Sequence, residues 1–244
     1  MNDLAATPLD DPGPDTFAGR LADLVARPGR LMDKVGRAPR WWHAGLLIFV
    51  TMAAFAWLTS PISGPEQMEL MRDSKLMRMV PEEQWQQQYE ASMDPAPAKR
   101  LGTAIGAAFT SWVMVLVFGF ILGFFARMGG GKGTFRQALG ITSWAALLPF
   151  VLGSAVKVPL VLATESVHRV TFSLAALAPG LEPTSALYQV LVAYGDFFTW
   201  WGLAVLVIGF GRVFAMGRGP AAAAVLLPWA LGTAVPVGLA LMFM

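Results

Sequence analysis

The stretch 127-RMGGGKGTFR-136 lies between two long apolar runs and admits two incompatible readings. Glycines beside a lysine and a threonine can form a loop that cradles phosphate, or a tight turn joining two membrane helices. A phosphate loop needs Gly, four residues, then Gly-Lys-Ser/Thr, set between a strand and a helix. Here Lys132 follows Gly131 but precedes Gly133, and Ala126 stands where the first glycine belongs. A membrane turn accounts for the residues better. Glycine permits the tight reversal, while Lys132 and Arg136 supply the positive charge of a cytoplasmic connection. No nucleotide is expected.

The flanking composition agrees. The 244-residue chain is 55% hydrophobic and 14% charged, where a soluble domain carries about 25% charged residues. Its net charge of +2 is too small to imply nucleic acid, and the absence of cysteine excludes disulfide and thiol chemistry. Arginine outnumbers lysine and alanine is abundant, which points to a GC-rich bacterial genome. The prolines and charges of the first forty residues do not form a cleavable signal; the first apolar run reads as an uncleaved anchor.

Crossing the hydrocarbon core takes about 20 apolar residues. Five runs meet that length or come near it, at about 41–60, 101–126, 137–164, 196–214 and 220–244. The expected fold is all-α and polytopic, with outer loops 61–100 and 165–195. Lys and Arg gather before the first run, in the 127–136 turn, and at Arg212 and Arg218. In the 61–100 loop seven acids offset five bases, and Arg169 is the one base of the other loop. The positive-inside rule then puts the N-terminus in the cytoplasm and the C-terminus outside a bacterial inner membrane.

Residues 1–40 form a cytoplasmic arm. Phe17, Leu21, Leu24, Val25, Leu31, Met32 and Val35 recur at helical spacing, with bases on the other faces and a break at Pro28. Residues 17–35 therefore read as an amphipathic helix lying on the inner leaflet. The 61–100 loop is rich in helix formers, divided by Pro81. The 165–195 loop holds two short apolar pieces around a PGLEP turn, either interfacial or re-entrant.

Few residues could carry chemistry. Met68, Met71, Met77 and Met79 are soft ligands in principle but serve more often as packing. Glu165 and His168 have the Glu-x-x-His spacing of bundle metal sites without a second ligand set. No nucleophile, base and orienting acid assemble, so neither enzyme, metal nor cofactor is expected. Lys157 is the one ionisable group inside a run; it either snorkels outward or serves function, with Glu165 and Asp196 as possible partners. Asp196 also reads as a helix N-cap. The Gly102/Gly106 and Gly119/Gly123 pairs, with the small residues of the fifth run, read as internal packing.

The order of parts resembles the Yip family, membrane proteins named for interaction with Ypt/Rab GTPases. LADLVARPGRLMDKV is similar to the family's entry segment, and PEEQWQQQYEA to the Glu/Gln-rich outer helix of bacterial members. GGGKGTFRQALGITSWAALLPFVLG resembles its glycine turn and third span, and DFFTWWGLAVLVIGFG the start of its fourth. The Asp-Leu-Tyr-Gly-Pro motif of the eukaryotic branch is absent, so the likeness is to the bacterial branch. The resemblance implies a five-span helical domain with a cytoplasmic N-terminus and an outer C-terminus, and no activity carries over from the bacterial members. The expectation for function is a protein without catalysis that binds a membrane-protein partner, itself or lipid. The rival expectation is a transporter or channel for a small solute or lipid, built around Lys157 and Asp196.

Overall fold

A computed structural model describes residues 15–72, 80–178 and 180–243. Met77 and Met79 lie outside the described residues. Within them the chain is helical. It runs α1 (Phe17–Ala26), α2 (Pro28–Arg37), α3 (Trp41–Met71), α4 (Glu82–Met93), α5 (Pro97–Met128), α6 (Phe135–Leu147), a π-helical turn (Leu148–Gly153) and α7 (Ser154–Thr164). After these come a 3₁₀ turn (Leu174–Leu177), α8 (Ala186–Gly195), α9 (Phe197–Val213) and α10 (Arg218–Phe243).

Four stretches are long and apolar enough to cross a membrane: Trp41–Met71, Pro97–Met128, Phe135–Thr164 and Ala186–Val213. The expected fifth span corresponds to α10, 26 residues long. Its last side chains lie outside the described residues, so the count of five stays an expectation. α3 packs on α5 and α6, α5 also on α6 and α10, and α9 on α2, α6 and α10. Trp144, Ile141, Leu122, Phe210 and Phe214 are fully buried where α5, α6 and α9 meet.

Two helix boundaries differ from expectation, and one span carries an internal irregularity, each with a local cause. α3 does not stop at Ser60 but continues through Pro61 and Pro65 to Met71. Pro61 has no N–H to donate to the Trp57 carbonyl one turn back. Arg100 replaces it, its Nε donating to that oxygen at 2.8 Å, with the Ser60 hydroxyl donating at 3.2 Å. In the third span, Pro149 likewise denies the Ala145 carbonyl its usual donor. The Leu148 N–H takes that place, and the helix widens into the π turn. The fourth stretch begins at Ala186 rather than Asp196. α8 leads directly into α9 through one extended residue, Asp196 (ψ 126°), and α8 packs on α10, so residues 186–195 join the bundle.

The arm is a helical hairpin, and part of its apolar face is covered by protein, while Phe17 and Val25 of the same stripe stay exposed. Leu31, Met32 and Val35 are fully buried and Leu24 nearly so, under α6 and α9. Glycines permit this close seat. A Cβ on Gly209 would fall 2.8 Å from the Met32 sulfur, and one on Gly140 2.9 Å from the Val35 side chain. Helical spacing reveals an apolar stripe without saying whether bilayer or protein covers it. Gly119 and Gly123 pack internally, against Leu139 and Ala138. Among the described residues, a Cβ on Gly102, Gly106, Gly232 or Gly238 would meet nothing within 4 Å, so the internal-packing expectation finds no support at these four.

Candidate functional site

The glycine turn is built by packing. Its amides are spent on the chain itself: Gly129 donates to the Phe125 carbonyl (2.9 Å), Gly131 to Ala126 (2.9 Å) and Lys132 to Phe214 (3.0 Å). A phosphate loop would aim such donors at a ligand. Gly130 has φ +86°, open to glycine at little cost, and a Cβ on Gly133 would enter the Phe214 ring. Thr134 then starts α6 with a reciprocal capping box to Gln137. Gln137 turns its amide to the Gly36 carbonyl (2.8 Å), which ties the turn to the arm. Lys132 and Arg136 themselves are exposed.

Charged groups latch the arm onto this end. Arg20 is 1% exposed; its guanidinium forks onto Asp15 at 2.6 and 2.9 Å and lies 5.5 Å from the centre of the Trp144 ring. Lys34 pairs with Asp23 at 2.8 Å in the hairpin interior. Asp33 accepts two bonds from Arg212 at the end of α9, at 2.9 and 2.7 Å. The Arg20 hydrogen bonds hold the Asp15 carboxyl below its usual value, against the opposing effect of burial.

At the opposite end a polar groove of about 670 Å³ opens between the extension of α3, α4 and the segment after α7. Glu66, Glu69, Tyr89, Glu165 and Arg169 line it. Glu66 is the central group and had no signal in the sequence. It accepts from the Ser166 hydroxyl, the Val167 N–H (2.7 Å) and the His168 N–H (3.3 Å), and so ties the return segment to α3. In SGPEQ the preceding Gly and Pro suggest a turn. Only the continued helix carries Glu66 to this place. Glu69 accepts from the Tyr89 phenol at 2.8 Å, which raises that phenol above its usual value.

Of the expected site residues, the structure brings Lys157 and Asp196 into electrostatic reach of one another, with Glu66 also near. Among the described residues no carboxylate lies within ion-pair distance of Lys157, which is half-buried. Asp196 caps α9, its Oδ1 accepting from the Thr199 N–H at 2.7 Å. Glu165 is exposed and ends α7 in the left-handed region (φ 51°); it forms no ion pair with Lys157. His168 contributes its backbone N–H, while the His43 ring packs between Trp42 and Phe17. No cluster of three His, Asp or Glu that could hold a metal occurs among the described residues.

Both polar ends therefore act as clasps, and among the described residues between them Lys157 is the charged side chain inside the spans, beside a few hydroxyls such as Thr142 and Ser143. No curated protein and no solved structure compared with the chain matches it. The family model for the Yip1 domain matches residues 22–239, from the first turns of the arm to the last turns of α10. The chain is an integral membrane protein of the Yip1-domain family.

Proposed function

We propose that this protein is a non-catalytic organiser of a bacterial inner membrane. It spans the bilayer five times with its N-terminus in the cytoplasm, and works by binding a membrane-protein partner or lipid. One observation carries the reading: the buried and half-buried charged residues at each end hold the chain to itself. Glu66, Asp196, Arg20, Lys34 and Asp33 are engaged in caps, tethers and pairs. A polar-solute transporter would instead turn such groups onto a passage through the spans. Lys157, near Asp196 and Glu66, is what favours the transporter alternative.

Two experiments test the proposal. Purified protein in liposomes should conduct no ions and pass no small polar solutes above protein-free vesicles; a saturable flux lost in Lys157→Met would reject the reading. The cysteine-free chain also allows single-cysteine mapping. Lys132→Cys should be shielded from an impermeant thiol reagent in spheroplasts, and Gln87→Cys should label; both positions are exposed.

A further inference from the structure

The largest unexplained feature lies in the middle of the spans, away from both polar ends. A cavity of about 480 Å³ opens among α5, α6, the π turn, α9 and α10. The residues around it explain why it exists. Pro149 widens the third span, and Ala145, Ala146, Gly202 and Gly232 withdraw side-chain volume where larger residues would close the gap. Its walls are almost wholly apolar, and its size falls in the range of about 300–1,000 Å³ taken by small-molecule sites.

The cavity is continuous with the lipid-facing surface. Met114 and Val117 line it and are 62% and 50% exposed on the outward face of α5. Leu203 and Leu206, at 3% and 6%, are reached only from within. In a bilayer the medium at such an opening is hydrocarbon, and polar solutes are excluded from that depth. Three threonines line it, Thr142, Thr199 and Thr233; Thr142 is 2% exposed and its hydroxyl is unpartnered.

We infer that this cavity takes one acyl chain of a bilayer phospholipid, entering laterally between α5 and α10. This deepens the lipid half of the proposed function, and its failure leaves partner binding standing. An empty apolar void leaves its lining atoms without dispersion partners on that side, and a chain that fills it restores those contacts. The midplane position suits a chain rather than a headgroup, since no charged side chain lines the cavity among the described residues. The Thr142 hydroxyl takes no part in holding it.

The test uses full-length protein in nanodiscs containing a phosphatidylethanolamine with a mid-chain diazirine. After photolysis, peptide mass spectrometry should find adducts on Leu203 and Leu206. Gly232→Phe adds a ring at the cavity wall, where a Cβ meets no described atom within 4 Å, and should cut those adducts about tenfold by occupying the chain's volume, a loss of about 1.4 kcal/mol. Gly102→Phe, also into open space but on α5 away from the cavity, should change nothing and controls for bulk. Thr142→Val should leave labelling within about twofold, as for a purely apolar contact. Adducts confined to the outward face of α5 would overturn the inference. So would inner adducts unchanged by Gly232→Phe. A loss on Thr142→Val would reassign the cavity to a lipid bearing a hydrogen-bonding group, and a protein adduct would reassign it to a partner helix.

Discussion

Replacing Glu66 tests the clasp at the grooved end most directly. Three donors converge on its carboxylate: the Ser166 hydroxyl, the Val167 N–H at 2.7 Å and the His168 N–H at 3.3 Å. A hydrogen bond to a charged group contributes about 1.5–3 kcal/mol, and an orphaned donor costs a similar amount where water cannot reach it. The groove admits water, so the donors freed in Glu66→Ala are partly rehydrated, and the expected loss is about 2 kcal/mol rather than the sum of three bonds. If segment 166–168 opens locally, exchange of its amides should accelerate about 30-fold. Glu66→Gln keeps one acceptor oxygen but aims an amide at the remaining donor; about 1 kcal/mol and fivefold are expected. Hydrogen–deuterium exchange in nanodiscs reads this peptide by peptide, with α6 as the internal reference. Val167 and His168 amides that exchange at the wild-type rate in Glu66→Ala would refute the tether.

Three further outcomes follow from the geometry. Gly133→Ala forces a methyl into the Phe214 ring and should cost about 1–3 kcal/mol in thermal unfolding, while Lys132→Ala stays within about 0.5 kcal/mol; the opposite ranking would return the turn to a ligand-binding role. Lys157→Met should leave the melting temperature unchanged or raise it by the equivalent of about 1–2 kcal/mol, because Asp196 and Glu66 keep their own hydrogen bonds; a marked drop rescued by Asp196→Asn would favour the transporter. Asp15 has a folded value depressed below 3.8, so the stability it contributes is present above that pH and is lost as pH falls through the lower folded value. Acid titration of a fluorophore attached at Ala18→Cys in the cysteine-free chain should show this loss below about pH 4 and lack it when Asp15→Asn is added.

The helical, membrane-spanning character of the chain was legible in its sequence because it depends on quantities that add along the chain. Twenty apolar residues cross hydrocarbon wherever they pack, and Asp196 and Thr134 cap helices through bonds only three residues long. The amphipathic stripe of the arm was legible for the same reason. What covers it was not, because lipid and the faces of α6 and α9 are equally apolar. The continuation of α3 past Ser60 was not legible because the donor that Pro61 lacks is supplied from 43 residues away, by Arg100 to Trp57. Glu66 was invisible because its donors lie 100 to 102 residues further on, and the cavity because it is space left between four helices. Spacing along a chain reports which side chains share a face. Which polar groups meet across the bundle, and where volume is missing, depend on how faces distant in sequence are brought together, and only the tertiary structure decides that.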